Sequence, residues 1–319
     1  MRQGIPSGAP VTAHRPVLLD AALAALVVGD CEGWFVDATY GRGGHSRGLL
    51  ERMGAKARLL ALDQDPEAVR HGQDSLGGDP RVVIRHGNFE SLASHVRTVA
   101  GDAPVRGVLM DLGVSSPQLD TADRGFSFQA DGPLDMRMDP TRGDSAAEWL
   151  ADAAEDEIAR VLWRYGEERH GRRIARAICR ARVEAPILTT GRLASVIAAA
   201  VPGRAGTRRH PATRSFQAVR IHVNRELEVL DRGLEQAVAV LAPGGRLAVI
   251  SFHSLEDRAV KRYLRRLSEP DPVYRGLPDM PAHARPTLRL VGRAQRADDA
   301  ELAANPRARS ATLRVAEKC

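Results

Sequence analysis

Residues 35–46 of this chain read Phe35-Val-Asp-Ala-Thr-Tyr-Gly-Arg-Gly-Gly-His-Ser46, and this stretch decides the fold. An apolar run ends at Asp37, a glycine-rich turn follows, and Ser46 opens an amphipathic segment that continues to Met53. The pattern predicts a strand, a tight loop and a helix N-terminus. Backbone N–H groups at such a helix N-terminus can approach a small ligand closely.

A second predicted strand, 59–63, ends in the acid Asp63. In doubly wound sheets an acid about 20 residues beyond the glycine loop binds ribose hydroxyls, so loop and acid together predict a nucleoside-containing cofactor. The loop lacks both the G-x-G-x-x-G spacing of a dinucleotide site and the Gly-Lys-Ser/Thr of a phosphate loop. This favours S-adenosylmethionine, which has an adenosine but no phosphate.

The rest of the chain predicts an α/β fold with a parallel sheet covered by helices. Apolar strand segments alternate with helical segments, and the strands are expected at 35–37, 59–63, 82–85, 105–111 and after residue 240. Between them, residues 121–143 predict an irregular loop that is rich in glycine and proline. Helical periodicity follows in four further segments, near 145–150, 156–165, 169–182 and 190–201, and a long helix is expected from residue 216.

The helical block therefore predicts an insertion into the α/β domain. We expect a flexible N-terminal arm at 1–15, a discontinuous cofactor-binding domain at 16–122 and 217–319, and a helical insertion at 123–216 that recognises substrate.

Composition favours a soluble cytoplasmic protein. Hydrophobic residues make up 43% of the 319 residues, which is enough for a core, and no N-terminal signal or membrane-spanning stretch is present in the sequence. The three cysteines are scattered without C-x-x-C spacing, so we expect free thiols and no metal site. The net charge of +6 suits a polyanionic partner without proving one.

The loop after the fourth strand, Asp111 to Gln118, is where amino-group methyltransferases place their reacting centre. An exocyclic amine on a base is a poor nucleophile because its lone pair is delocalised into the ring. Hydrogen-bond acceptors on that amine localise the lone pair for in-line attack on a sulfonium methyl. We therefore predict that Asp111, Ser115 and Ser116 carry catalysis.

Other candidates have less specific signals. Phe89 would stack on or wall the adenine, although plain core packing stays open. His45, at a helix start, would orient the charged end of the cofactor rather than act as a base. His253, in the motif after the late strand, would line the base pocket and contact RNA, or else lie in a surface turn.

Arginines recur along the predicted helix 169–182, and a basic loop occupies 204–214. A solvated helix face would look the same, but the two features together favour a surface for RNA phosphates. The predicted RNA contacts are Arg169, Arg172, Arg173, Arg176, Arg208, Arg209 and Arg214. Aromatic residues are only 4% of the chain, so base stacking is not widespread.

Several long motifs resemble the bacterial small-subunit ribosomal RNA methyltransferase H family. They are residues 37–46, 111–120 and 251–258 together with His14-Arg-Pro-Val-Leu-Leu19, Arg124-Gly-Phe-Ser-Phe128, Asp131-Gly-Pro-Leu-Asp-Met-Arg-Met-Asp139, Tyr165-Gly-Glu-Glu-Arg169, His210-Pro-Ala-Thr-Arg214 and Asn305-Pro-Arg-Ala-Arg-Ser310.

The resemblance implies a Rossmann-like class I methyltransferase domain with an inserted helical domain. It also implies N4-methylation of a cytidine in the decoding region of 16S rRNA, within the small subunit. By the same resemblance, S-adenosylmethionine is contacted by Gly43, Gly44, His45, Asp63, Phe89, Asp111 and Gln118.

Two other classes stay open at this point. A nicotinamide-dependent dehydrogenase is disfavoured by the missing dinucleotide motif. A non-catalytic ribosome-assembly factor that keeps the fold is disfavoured by the intact Asp63, Asp111 and Ser115-Ser116-Pro117. The choice between monomer and homodimer is not decided by the sequence.

Overall fold

The structure is a computed structural model that describes residues 15–29, 32–201, 210–274 and 280–319. Nearly all of the predicted N-terminal arm, His14, and the candidate RNA contacts Arg208 and Arg209 lie outside these residues.

A seven-stranded sheet forms the frame of the molecule, in the order β3-β2-β1-β4-β5-β7-β6. Its strands are β1 Trp34–Asp37, β2 Arg58–Asp63, β3 Val82–His86, β4 Val105–Asp111, β5 Leu241–Ser251, β6 Leu288–Leu290 and β7 Thr312–Lys318. The first five strands are parallel to one another, while β7 is antiparallel to both β5 and β6. The predicted α/β class is confirmed, and β6 and β7 are additions that the strand pattern did not predict.

Helices cover both faces of the sheet because successive strand residues point to opposite sides. Val36, Leu60 and Val108 enter one buried core, and Phe35 enters the other together with residues of the first two helices. These outer helices are α1 Leu19–Leu26, α2 Gly44–Arg52, α3 Pro66–Leu76, α4 Leu92–Ala100, α5 Ser116–Asp120, α11 Glu226–Val240, α12 Ser254–Ser268 and α13 Asp299–Ala304.

The predicted helical insertion has a hydrophobic core of its own, which includes Leu150, Ile158, Leu162, Ile174 and Phe216. Its helices are α6 Ala146–Asp152, α7 Glu155–Gly166, α8 Gly171–Glu184, α9 Thr190–Ala200 and α10 Thr213–Val223. A separate core is what an inserted domain requires. The domain boundaries themselves stay a prediction.

The predicted long helix from residue 216 is wrong, because two helices, α10 and α11, replace it. Arg225 has a φ of 50°, in the left-handed region, which ends one helix and begins the next. The break lets Asn224 bond the irregular loop: its Nδ2 donates to the Met136 carbonyl at 2.8 Å, and its Oδ1 accepts from Met138 N at 2.7 Å. The hydrogen bonds of Asn224 with the irregular loop thus interrupt a helix that the apolar pattern alone would continue.

Within the described ranges, no helix is both long and apolar enough to cross a membrane.

Candidate active site

A cavity of about 780 Å³ opens at the carboxyl ends of the parallel strands, the usual ligand site of such sheets. Most of the predicted cofactor and catalytic residues line it, namely Gly44, His45, Asp63, Phe89, Asp111, Ser115, Ser116 and Gln118. Gly43 is not among the lining residues, and neither is His253. The topology thus brings together residues that are up to 74 positions apart in sequence, from Gly44 to Gln118.

The glycine loop is shaped first by the protein's own packing. Gly43 has a φ of 70°, and a Cβ there would lie 2.5 Å from the Tyr40 ring. A Cβ on Gly44 would lie 2.2 Å from Cγ of Pro16. Both positions therefore exclude side chains before any ligand is considered. Contacts with Tyr40 and Pro16 therefore require glycine at positions 43 and 44.

Asp63 ends β2 and ties the loop to the next turn. Its Oδ2 accepts from Gly41 N at 2.7 Å, and its Oδ1 accepts from Asp65 N at 2.8 Å. Burial raises the pKa of Asp63 to about 6, although these two N–H groups act in the opposite direction. The carboxylate is held at the cavity wall, where a ribose hydroxyl could donate to it.

Asp111 ends β4 and faces His45 of α2. Asp111 Oδ2 lies 3.5 Å from His45 Nε2, too far for a well-formed hydrogen bond but close enough for strong electrostatic attraction. Burial alone would lower the pKa of His45, but the carboxylates of Asp111, Asp37 and Glu301 together outweigh it and the pKa is raised. Asp111 Oδ1 and both ring nitrogens of His45 are buried without a hydrogen-bond partner among the described residues.

Asp37, at the end of β1, has a structural role. It is buried, accepts from the Ser46 hydroxyl at 2.6 Å and from Thr39 N at 3.2 Å, and does not line the cavity. Burial raises its pKa. Asp37 thus joins the end of β1 to the first turn of α2. Arg42, in the glycine loop, lines the cavity and pairs with Glu67 at 3.0 Å.

The loop after Asp111 contains a short helix that the sequence pattern did not predict. The five-residue α5 begins at Ser116, where Pro117 is tolerated because first-turn N–H groups have no helical partner. Ser115 N donates to Gln118 Oε1 at 2.9 Å. Because Gln118 Nε2 also donates to Asp65 at 2.9 Å, both polar atoms of this predicted cofactor contact are already engaged within the protein.

The sequence reasoning missed Asp65, which lines the cavity, and Arg124, which pairs with it. Arg124 Nη1 donates to Asp65 at 2.6 Å, and its Nη2 donates to the carbonyls of Arg137 and Met138. Asp65 is buried and also caps α3 by accepting from Glu67 N. Arg124 therefore links the ribose side of the cavity to the irregular loop. The motif Arg124-Gly-Phe-Ser-Phe128 was the sequence feature that could have pointed to Arg124.

The cavity wall also carries a group of charged residues that the sequence reasoning missed. Arg220 donates to Glu226 at 2.8 and 2.7 Å, and both line the cavity. Glu256 lines it too and lies 3.1 Å from Nε2 of His253. Ligand atoms of Glu226, His253 and Glu256 lie within 4.8 Å of one another, a spacing that could hold a metal ion. Glu256 lines the cavity, whereas His253 does not.

The predicted arginine surface lies on the insertion. Arg172, Arg173 and Arg176 are exposed on α8, which begins at Gly171 rather than at residue 169. Arg169 is exposed just before that helix, and Arg214 is exposed near the start of α10. Arg176 lies 3.5 Å from Glu155, whereas Arg169, Arg172 and Arg173 make no ion pair with another described residue.

The cavity fits S-adenosylmethionine. One part of its wall carries the Asp63 carboxylate for hydroxyl donors, and another carries unpartnered acceptor and imidazole atoms from Asp111 and His45 for polar cofactor groups. A sheet in the order β3-β2-β1-β4-β5-β7-β6, in which only β7 runs against the other strands, together with a cavity at the carboxyl ends of the parallel strands, defines a Rossmann-like class I methyltransferase.

The chain belongs to the MraW methylase family, whose profile matches residues 11–319. Membership of a methylase family confirms the prediction of S-adenosylmethionine as the cofactor.

Curated relatives match almost the whole chain. One from Xanthomonas euvesicatoria is 58% identical over 97% of this chain and 90% of its own length. Another from Thioalkalivibrio sulfidiphilus is 58% identical over 98% of this chain and 99% of its own length. Both are named ribosomal RNA small subunit methyltransferase H.

Solved structures also align along most of the chain, at low identity. An rRNA methylase from Streptococcus thermophilus is 14% identical, with a TM-score of 0.40 over 94% of this chain and 93% of its own. A protein from Streptococcus mutans in complex with SAH is 12% identical, with a TM-score of 0.43 over 97% of this chain and 100% of its own.

Proposed function

We propose that this enzyme transfers a methyl group from S-adenosylmethionine to the exocyclic N4 amine of a cytidine in the decoding region of 16S rRNA, within the small ribosomal subunit. The names of the relatives support small-subunit rRNA as the substrate. One observation carries the amine assignment: Asp111 presents a buried carboxylate oxygen without a partner at the cavity wall, next to the Ser115–Ser116 turn.

The chemistry suits these groups. The cofactor supplies an electrophilic methyl on a positively charged sulfur. Asp111 Oδ1 can accept a hydrogen bond from the target amine, which localises the nitrogen lone pair and orients it for in-line attack. The Ser116 hydroxyl, which has no hydrogen-bond partner among the described residues, is a second candidate acceptor. The methylated amine then loses a proton readily, so no strong base is needed.

His45 serves the cofactor rather than the amine in this proposal. Its raised pKa increases the cationic fraction, and its two ring nitrogens are unpartnered donors in that form. A cation at this position would attract the carboxylate end of the cofactor. The Asp111 carboxylate holds the ring and favours that cation.

The exposed arginines of α8 would bind RNA phosphates in this proposal. Trp163 of α7 adds a base-stacking surface next to them: it is 70% exposed in a chain with few aromatic residues. A Cβ on Gly171 would lie 3.7 Å from Trp163 N, so the tryptophan backbone adjoins the start of α8. A phosphate-binding face with one adjacent aromatic suits single-stranded RNA.

Methyl transfer to small subunits from a deletion strain tests the proposal. The wild-type enzyme should label 16S rRNA from labelled S-adenosylmethionine, and Asp111→Ala should lose most of that activity while still folding. Equal labelling by Asp111→Ala would contradict the role given to this carboxylate. A wild type that binds the cofactor but transfers no methyl group would favour the non-catalytic assembly factor.

A further inference from the structure

The cavity wall carries a largely buried ion pair, Arg220–Glu226. The side chains of Arg220 and Glu226 are 16% and 9% exposed. Removing two charges from water is costly, and apolar residues of similar volume often serve stability equally well. A buried pair that lines a cavity therefore points to a role in binding.

Arg220 has one donor group to spare. Its Nε and Nη2 both donate to Glu226, which fixes the plane of the guanidinium. Nη1 makes no hydrogen bond with any residue that the structure describes, and it carries two N–H donors. Arg220 is thus a preorganised donor at the cavity wall. Glu226 supplies the alignment.

A second carboxylate stabilises this arrangement. Glu256 accepts from Phe252 N at 2.8 Å and lies 3.1 Å from Nε2 of His253. Burial would raise the pKa of Glu256, but His253, Arg220 and the Phe252 N–H outweigh it and the pKa is lowered. The ionised Glu256 adds a negative potential that favours the buried guanidinium charge.

The cluster suits a neutral polar ligand better than a metal ion. The Arg220 guanidinium already occupies both oxygens of Glu226 and would repel a cation brought between Glu226 and Glu256. A guanidinium with free N–H groups instead complements hydrogen-bond acceptors.

We propose that Arg220, held by Glu226, recognises the target base by donating to its acceptor edge. This inference rests on the proposed function. Cytosine presents O2 and N3 as acceptors beside its N4 amine, so donation from Arg220 to that edge would point the amine towards the acceptors of Asp111 and the adjacent turn. Uracil carries an N–H at N3, which would oppose the guanidinium. Enzymes that act on extruded bases commonly read the Watson–Crick edge in this way.

The first experiment removes the pair without leaving an isolated buried charge. Arg220→Met/Glu226→Leu should bind S-adenosylmethionine within about twofold of wild type by calorimetry, because neither residue belongs to the cofactor end of the cavity. Its kcat/KM on small subunits should fall by about 10- to 100-fold, which is the discrimination expected of one good contact to a base edge.

The matched control is Arg246→Met/Glu317→Leu. This pair joins β5 to β7 at 2.9 Å, has similar exposures of 19% and 18%, and does not line the cavity. It should leave kcat/KM within about twofold of wild type. Equal losses in both double variants would show a general effect of deleting ion pairs and would overturn the assignment.

The second experiment removes the partner atom from the substrate. Subunits reconstituted with 3-deazacytidine at the methylated position lack the N3 acceptor but keep the N4 amine. Wild type should methylate them about 10- to 100-fold less efficiently, whereas Arg220→Met/Glu226→Leu should treat both substrates alike. A double variant that still discriminates as wild type does would overturn the inference.

Two further results have distinct meanings. If wild type methylates no rRNA, the proposed function fails and this inference fails with it. If wild type is active and calorimetry of the enzyme without rRNA shows Mg²⁺ binding that Glu256→Gln abolishes, the cluster holds a metal and the base-reading role is overturned. We expect no Mg²⁺ binding at this cluster.

Discussion

Asp111 Oδ2 lies 3.5 Å from Nε2 of His45, while Asp111 Oδ1 is buried without a hydrogen-bond partner among the described residues. One carboxylate thus has two different surroundings. The oxygen near His45 stabilises the imidazolium, and the other is free to accept a hydrogen bond. In the proposed reaction this arrangement connects the cofactor end of the cavity with the amine that receives the methyl group.

His45→Asn should weaken binding of S-adenosylmethionine by about 10- to 100-fold, because a hydrogen bond to a charged group contributes about 1.5–3 kcal/mol. The effect should fall on the cofactor Kd and KM more than on kcat at saturating cofactor. Calorimetry and steady-state kinetics measure both. His283→Asn, which removes a histidine outside the cavity lining, is the control. A large fall in kcat with unchanged Kd would instead assign His45 to the chemical step.

Cofactor affinity should depend on the ionisation of Asp63, whose pKa is about 6. A protonated Asp63 loses acceptor capacity for ribose hydroxyls. Affinity should therefore fall about tenfold between pH 7 and pH 5. Asp63→Asn should bind S-adenosylmethionine more weakly than wild type at pH 7. Its affinity should not show the tenfold fall between pH 7 and pH 5. An identical pH profile in wild type and Asp63→Asn would contradict the ribose contact.

Ionisation of Asp63 favours cofactor binding in this account, but it lowers the folding stability of the cofactor-free protein. The pKa of Asp63 in the folded protein is raised above its ordinary value of 3.8 to about 6, so the ionised carboxylate opposes folding. This cost is fully present above about pH 6 and is lost progressively as the pH falls from about 6 to below 3.8. Asp63→Asn should therefore raise Tm at pH 8 more than at pH 4.5, as thermal unfolding without cofactor would show.

Arg124→Met should destabilise the protein by about 3–5 kcal/mol, because it leaves the buried Asp65 carboxylate without its charged partner. Adding Asp65→Asn should recover most of this destabilisation, since the charge is then gone. Urea unfolding of both variants measures the coupling. As a control, Arg232→Met breaks the more exposed pair with Glu90 and should cost less than about 1 kcal/mol. Equal losses of unfolding free energy in Arg124→Met and Arg232→Met would show that the Arg124–Asp65 pair contributes no more than an exposed pair.

The α8 surface predicts a specific salt dependence. Arg172→Gln/Arg173→Gln should reduce the slope of log affinity for rRNA against log salt by about 0.7 for each single-strand phosphate that is no longer neutralised. Lys261→Gln/Arg262→Gln, which removes two exposed cations from α12, should leave the slope unchanged. Filter binding at several salt concentrations distinguishes the two. Identical slopes in all three proteins would contradict an RNA surface on α8.

The part of the cavity wall that holds Gly44, His45, Asp63 and Asp111 was predictable because its signals are local in sequence. A strand, a glycine turn and a helix start place Gly44 and His45 together, and strand ends place Asp63 and Asp111 at the same edge of the sheet. The alternation of strands and helices likewise predicted the parallel core. Short-range pattern and sheet topology suffice for these residues.

The Arg220–Glu226 and Arg124–Asp65 pairs were not predictable in this way. Arg220 and Glu226 sit on opposite sides of a helix break that the apolar pattern conceals, and the contact of Asn224 with the irregular loop produces that break. The Arg124–Asp65 pair joins residues 59 positions apart that no periodicity relates. Long-range polar contacts of irregular segments decide these positions.

The most direct test of the central claim is nucleoside mass spectrometry of 16S rRNA from a deletion strain complemented with wild type, Asp111→Ala or an empty vector. Our account predicts that one N4-methylated cytidine in the decoding region disappears on deletion, is restored by wild type and is not restored by Asp111→Ala. An unchanged set of methylated cytidines after deletion would contradict it.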